Sequence, residues 1–204
     1  MSERPCVGVI LAAGASSRLQ QPKQLVEIDG ETLLRRTVRI AAESGCHRVV
    51  VVLGFAVGRM RGELEGLDAI AVVNERWRAG MGSSMRCGVE AALQINPRPE
   101  NILLLVCDQF RLTADFLRGL IRVHGCPEYP IAAARYNGRL GVPAVFSSIF
   151  FPNLLAVSED HGARRILERN AEHVAPVDFP DGELDLDTPE DLKRLTHFKI
   201  ASIL

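Results

Sequence analysis

Continuous apolar runs alternate with segments of helical period along the first half of the chain. Cys6 to Ala12 is apolar without a break, the pattern of a strand covered on both faces. His47 to Leu53 contains Val49-Val50-Val51-Val52, and Ile102 to Val106 is apolar throughout. Aliphatic, β-branched runs of this length predict buried strands. Ala69 to Val73 predicts another. Between them, Glu31 to Ser44 sets Leu34, Val38, Ala41 and Ala42 on one helical face, with Gly45 placed to end the helix. Val57 to Leu64 predicts a short helix. Ser83 to Gln94 predicts a longer one with Met85, Val89, Ala92 and Leu93 inward, and Thr113 caps a helix running towards His124. The later part is less regular. Pro130 to Ala134, Pro143 to Phe146 and His173 to Val177 read as extended, Ala163 to Asn170 as helical. Thr188-Pro189-Glu190-Asp191 is a helix start, with a hydroxyl cap, proline in the first position and acids in the first turn. This alternation predicts an α/β fold with a mostly parallel sheet, helices on both faces and right-handed crossovers. One domain is expected over residues 1–204, with its core at about 6–195 and an apolar tail at 196–204 that docks on the body or on a second subunit.

Composition narrows the class. With 47% hydrophobic and 24% charged residues the chain is not of the disordered type. A net charge of −1 supplies no overall attraction to nucleic acid or to an anionic membrane. No apolar run reaches the roughly 20 residues of a membrane helix, and the apolar stretch from Cys6 is too short for a signal peptide. Cys6, Cys46, Cys87, Cys107 and Cys126 form no C-x-x-C pair, so they read as small buried hydrophobes in a reducing cytoplasm.

In open α/β sheets ligands bind beyond the carboxyl ends of the strands, so the chemistry is sought there. After the first strand come Leu11-Ala12-Ala13-Gly14-Ala15-Ser16-Ser17-Arg18 and then Pro22-Lys23. Small residues let a backbone approach a ligand, and two cations in the same loop suit phosphate. It is neither a Walker A loop nor G-x-G-x-x-G, and a plain strand-to-helix turn carrying two surface cations also fits. Gly80-Met81-Gly82-Ser83-Ser84 opens a helix and suits a sugar, base edge or phosphate, or else serves as a turn with Ser83 as N-cap. Asp108, after the 102–106 strand, is placed to ligate a hard cation or to cap a turn. Asp185 and Asp187 point to one face of an extended segment, which suits a metal ion shared with Asp108; Asp187 also reads as a turn residue before Thr188. Arg164 opens a helix within reach of an anionic substrate, and His161 reads as a surface or capping residue.

Taken in order these segments carry a resemblance. V-I-L-A-A-G-A-S-S-R-L-x-x-P-K at 9–23 resembles the L-A-A-G-x-S-x-R-M-G-x-x-K signature of the nucleotidyltransferases. G-M-G-S-S at 80–84, C-D-Q at 107–109, G-V-P-A-V-F at 141–146, D-H-G-A-R at 160–164 and D-L-D-T-P-E-D-L at 185–192 follow in the family's order. The set is similar to the molybdenum-cofactor branch, the cytidylyltransferases and their guanylyltransferase relatives.

The resemblance implies a Rossmann-like nucleotidyltransferase fold and a Mg²⁺-dependent reaction. A phosphate of the acceptor, molybdopterin or molybdenum cofactor, attacks the α-phosphate of a nucleoside triphosphate and pyrophosphate leaves. It implies nucleotide contacts from Leu11, Ala12, Ala13, Gly14, Arg18, Lys23, Gly80, Gly82, Ser83 and Asp108, and catalytic roles as well for Arg18, Lys23 and Asp108. Asp108 and Asp185 are the implied metal ligands, with Asp187 as the alternative, and Gly141 to Phe146 with Arg164 face the acceptor. L-A-A-G rather than L-A-G-G points to CTP, with GTP the other base to test. A molybdenum hydroxylase is the implied client. Two other functions are compatible with these motifs: nucleotidyl transfer to a sugar or alcohol phosphate, and a non-catalytic carrier of molybdenum cofactor. Leu19-Gln20 stands where the family has Met-Gly, Phe110 where proline follows Asp-Gln, and Glu159 where glycine precedes Asp160.

Overall fold

The computed structural model describes residues 5–95, 97–124 and 128–193. Nine strands are described: β1 (Cys6–Leu11), β2 (Glu27–Ile28), β3 (Glu31–Thr32), β4 (Arg48–Leu53), β5 (Ile70–Val73), β6 (Asn101–Val106), β7 (Ile131–Tyr136), β8 (Arg139–Ser147) and β9 (Val174–Asp178). The helices are α1 (Leu33–Glu43), α2 (Val57–Glu63), α3 (Met81–Ala92), α4 (Ala114–His124), α5 (Phe151–Leu155) and α6 (Ala163–Arg169). A further helix begins at Pro189, bonded through Thr188 as expected. Cys126 and the apolar tail at 196–204 lie outside the described residues. Among the described residues no helix is long and apolar enough to cross a membrane.

The seven-stranded sheet has the order β5-β4-β1-β6-β8-β7-β9. β1 pairs in parallel with β4 and β6, β4 with β5, and β7 with β9, while β8 runs antiparallel to both β6 and β7. The period-2 geometry of a strand sends successive side chains to opposite faces, and both faces here are covered. Ile10, Val51 and Leu105 join Leu34 and Val38 of α1 and Leu117 and Leu120 of α4 in one cluster. Val9, Val52 and Leu104 join Met85 and Val89 of α3 and Leu167 of α6 in the other. Apolar runs without alternation are the sequence signature of this double cover, and each such side chain contributes about 1.5–3 kcal/mol on burial.

The chain order places the site. From β1 it moves outward to β4 and β5, then returns to β6 on the other side of β1. That reversal opens a crevice at the carboxyl ends of β1 and β6, where Leu11 and Val106 are register partners.

Two local expectations change. α3 starts at Met81, two residues before Ser83, with Gly80 in the N-cap position at φ +127° and no side-chain cap. The segment after β1 is no plain strand-to-helix turn, because residues 12–32 first form a 3₁₀ turn (Lys23–Leu25) and the small β2–β3 hairpin. Leu19, Val26, Ile28, Leu33 and Leu186 close a separate cluster beneath that segment, with Phe110 packed against it.

Candidate active site

The loop after β1 is tied down at its base. Ala12 N–H donates to the Val52 carbonyl at 3.0 Å, and Phe55 N–H to the Ala13 carbonyl at 3.0 Å. Gln24 is buried and its Nε2 donates to the carbonyls of Ala12 and Gly14, each at 2.8 Å. Gln24 therefore holds the loop's curl, a role for which the sequence carries no signal beyond a polar residue next to Lys23. Ser16 adopts φ +54° and its hydroxyl accepts from Lys23 N–H at 3.1 Å. A Cβ on Gly14 would meet nothing within 4 Å. No protein neighbour requires glycine there, and the open side faces the cavity described below.

The charged residues converge. Lys23 Nζ contacts Asp108 Oδ2 and lies 3.0 Å from Asp187 Oδ1. Arg18 reaches Asp187 Oδ2 at 2.6 Å from an exposed position. Burial disfavours the Lys23 ammonium, but the charge and hydrogen bond of Asp108 outweigh it and hold Lys23 above the usual lysine range.

Asp185 arrives from far along the chain. It forms an antiparallel bridge with Gln109, and Leu186 N–H donates to the Asp108 carbonyl at 3.3 Å. The side chain of Gln109 strengthens this junction, donating to the carbonyls of Val142 at 3.0 Å and Gly182 at 3.1 Å. Asp191 Oδ2 then accepts from Thr188 N–H at 2.9 Å and from its hydroxyl at 2.7 Å, fixing the turn that carries Asp187. Burial, and then the charge of Asp108, push the Asp185 carboxyl up to about 7.

Asp108 Oδ1 and Asp185 Oδ1 are both buried without a hydrogen-bond partner. Unpaired buried carboxylate oxygens are costly unless something positive meets them. Among the described residues no cluster of three acidic, His or Cys side chains is arranged to hold a metal by itself. Mg²⁺ is typically bound by one or two carboxylates completed by substrate phosphates and water, so the pair fits such an ion.

The raised Asp185 pKa has a sign. Below its ordinary 3.8 the carboxyl is neutral in folded and unfolded chain alike, and between 3.8 and about 7 only the unfolded chain ionises freely. The metal-free protein is therefore expected to lose stability from this group as pH rises from about 4 to about 7. Denaturant midpoints across that range should show the loss flattened in Asp185→Asn and opposed by Mg²⁺ at pH 7.

Two cavities meet over the strand ends. One, of about 640 Å³, is lined by Ala13, Gly14, Lys23, Trp77, Gly80 and Asp108 among others. The second, of about 450 Å³, is lined by Tyr136, Arg139, Gly141, Val142, Arg164 and Asp185 among others. Leu11, Met81 and Val106 border both. Asp108 thus faces one chamber and Asp185 the other.

The remaining motif residues divide. Gly80 lines the first cavity, whereas Gly82 and Ser83 do not; Ser84 does. A Cβ at Gly80 or Gly82 would run into backbone oxygens of Glu159 or Ser158 at 2.2 and 2.1 Å, so these glycines let the 158–161 segment lie against the start of α3. Ser83 Oγ donates to the Gly80 carbonyl at 2.8 Å and accepts from Asn74 Nδ2 at 2.9 Å, which makes it a turn organiser. Ala12 is likewise buried beneath the loop rather than in the cavity wall. Arg164 lies at the second cavity and pairs with Glu168 at 2.8 Å. His161, expected as a surface or capping residue, contacts Ser158 and Asp160 at 2.7 Å each within its own loop. The three departures have local explanations. Gln20 occupies φ +60°, the left-handed region where glycine is at ease. Leu19 and Phe110 pack in the cluster beneath the loop, and Glu159 pairs with Arg76.

The model of the MobA-like NTP transferase domain matches residues 8–174. The chain belongs to this family. It is 36% identical to nicotine blue oxidoreductase of Paenarthrobacter nicotinovorans, over 95% of this chain and 98% of that one. With purine catabolism protein PucB of Bacillus subtilis it shares 31% identity over 91% and 93% of the two chains. Molybdenum cofactor cytidylyltransferase of Escherichia coli is 24% identical over 94% of each. Among solved structures, Rv0371c of Mycobacterium tuberculosis superposes with a TM-score of 0.80 at 31% identity, covering 95% of this chain and 98% of that one. A manganese complex of Rv0371c matches with a TM-score of 0.71 at 29% identity, covering 94% and 97%. The Rossmann-like nucleotidyltransferase fold expected for this family is the fold observed.

Proposed function

We propose that this MobA-like transferase moves a nucleoside monophosphate, CMP in the first instance, from its triphosphate to the phosphate of molybdopterin or molybdenum cofactor. The carrying observation is the pair of buried, unpartnered carboxylate oxygens, Asp108 Oδ1 and Asp185 Oδ1, on residues that line, one each, two cavities sharing Leu11, Met81 and Val106. One chamber takes the triphosphate and the other takes the acceptor, so the reacting groups meet at the ends of β1 and β6. Leu11 to Gly14 and Gly80 form the nucleotide side. Lys23 and Arg18 hold the triphosphate and neutralise charge building on the departing pyrophosphate. In the free protein these cations are balanced by Asp108 and Asp187, so the site carries little net charge before substrate arrives. Arg139 and Arg164 add cations to the acceptor chamber. An acceptor phosphate oxygen bonds to the α-phosphorus as the bond to pyrophosphate breaks, a reaction governed by positioning and charge rather than by a side-chain nucleophile. Cys107 agrees with that: burial pushes its thiol up to about 12, leaving it protonated and inert. Asp108 and Asp185 would hold Mg²⁺, which supplies charge neutralisation on the phosphates when bound. The manganese complex of Rv0371c supports a divalent cation here, and the Escherichia coli relative supports cytidine as the base. A molybdenum hydroxylase as recipient of the product belongs to the same reading.

A second reading rests on the 36% relative, which is named an oxidoreductase: the first cavity then holds a nucleotide that is not cleaved. Pyrophosphate release separates the two. With Mg²⁺ and purified molybdenum cofactor, release from CTP but not from GTP, ATP or UTP is the expected result. Nucleotide binding with no release from any of the four would sink the transferase reading and support the second. Release that requires a sugar or alcohol phosphate instead would keep the transfer and replace the acceptor.

A further inference from the structure

The first cavity has two kinds of wall. Lys23 and Asp108 supply an ion-paired part, and Trp77, with Arg78 beside it, an aromatic part, the remaining lining being small or aliphatic residues such as Gly14, Leu11 and Met81. Trp77, the chain's single tryptophan, stands on a 3₁₀ turn (Trp77–Ala79) between β5 and α3. That turn is rigidly built. Trp77 N–H donates to the Asn74 carbonyl at 3.2 Å, and the buried Asn74 side chain donates to the hydroxyls of Ser83 at 2.9 Å and Ser84 at 3.0 Å. The indole meets Phe55 edge-on at 5.9 Å between ring centroids and 66° between planes. A Cβ on Gly54 would lie 2.6 Å from Trp77 Cβ, so the missing side chain there lets Trp77 seat against the end of β4. Over this ring sits the Arg78 guanidinium, 4.5 Å from the centroid. Arg78 is exposed and has no ion-pair partner among the described residues.

A planar cation over a fixed aromatic platform, beside a chamber for phosphates, matches a flat heteroaromatic ring carrying an anionic tail. We propose that Trp77 and Arg78 form the stacking wall for the nucleobase, a positioning device that no motif residue supplies. This rests on the reading of the first cavity as a nucleotide site. The charged wall belongs to the triphosphate, because Lys23 and Asp108 are there; the aromatic wall is left for the base. Stacking tolerates every base, since each has a π-face, so this wall governs how firmly the nucleotide is held rather than which base is chosen.

The test uses the intact protein and its one indole. Emission from Trp77 is followed while CTP or inorganic tripolyphosphate is added with Mg²⁺, and calorimetry gives both affinities for wild type, Arg78→Ala and Arg78→Lys. CTP should quench the emission and tripolyphosphate should not. Arg78→Ala should weaken CTP roughly tenfold and leave tripolyphosphate unchanged, and lysine, which restores charge without a plane, should not rescue. Equal losses for both ligands, or rescue by lysine, would make Arg78 a phosphate contact and overturn the stacking wall. So would CTP that binds with unchanged emission and unchanged affinity in Arg78→Ala. If wild type binds no nucleotide at all by calorimetry, the nucleotide reading of the cavity fails and takes the wall with it. The fluorescence arm needs no variant, so it stands even if a substitution disturbs the fold.

Discussion

Asp108→Ala is expected to lower turnover at least about a hundredfold, the scale seen when one preorganised electrostatic partner is removed from a transition state. The residue follows β6, with its Oδ2 on Lys23 and its Oδ1 buried and unpaired. Truncation removes one of the two carboxylates paired with Lys23 and one of the two unpartnered oxygens proposed for a divalent cation. At about 1.4 kcal/mol per factor of ten, a hundredfold loss corresponds to roughly 2.7 kcal/mol of transition-state stabilisation. Asp108→Asn, which keeps the volume and loses the charge, should show a comparable loss. Steady-state pyrophosphate release measured across Mg²⁺ concentrations checks both. Near-normal turnover in either variant at ordinary Mg²⁺ would remove Asp108 from the metal and from the chemistry.

Lys23→Ala is expected to weaken triphosphate binding by about tenfold or more, since a point charge beside the phosphates is lost. It should also destabilise the protein. The Lys23 and Asp108 side chains are only 18% and 13% exposed, and truncating one partner of such a pair leaves the other buried and uncompensated. Breaking a buried pair in this way costs about 3–5 kcal/mol, the upper part of that range applying to pairs fully out of water. The wild-type lysine is held above its ordinary pKa, so its contribution is complete at neutral pH and fades only as pH climbs into the alkaline range. In the variant the loss should be smaller at pH 5 than at pH 7, because Asp185, its carboxyl pushed up to about 7 by burial and the charge of Asp108, is protonated at pH 5 and adds no second negative charge beside Asp108. Nucleotide titration and denaturant midpoints at the two pH values measure these effects. Unchanged nucleotide affinity would take Lys23 out of the triphosphate site.

Much of this site was legible from local pattern. Strands buried on both faces announce themselves as unbroken aliphatic runs, and β1, β4 and β6 lie within a residue of their expected ends. The rule that ligands gather beyond strand ends points to the loop from Leu11 to Arg18 and to Asp108 as candidates. The second half was harder. Pro143 to Phe146 read as a short strand, yet β8 runs from Arg139 to Ser147 and inserts antiparallel between β6 and β7. Pairing partners are a property of the whole sheet and leave no local mark on the strand. By sequence Ser83 reads equally as a ligand contact or as an N-cap; in the fold it bonds Asn74, Gly82 N–H donates to the Glu159 carbonyl, and the helix starts earlier.

The sequence by itself determined the α/β class, the inventory of charged and small residues, and the order in which they follow the strands. It did so because periodicity, capping and glycine placement are short-range effects, readable within a few turns of chain. Tertiary structure decided how those residues are shared. Asp185 and Asp187 are two residues apart and look equivalent, yet Asp187 is engaged by Lys23 and Arg18 while Asp185 keeps a buried oxygen unpaired beside Asp108. Gln24 and Gln109 bear no obvious chemistry, yet one shapes the loop and the other joins the two acidic segments. Trp77 and Arg78 become a wall only when β4, β5 and α3 bring them against the cavity. Each of these outcomes depends on segments distant in the chain meeting at one place, and the balance of burial against charge there exists only once the fold has closed.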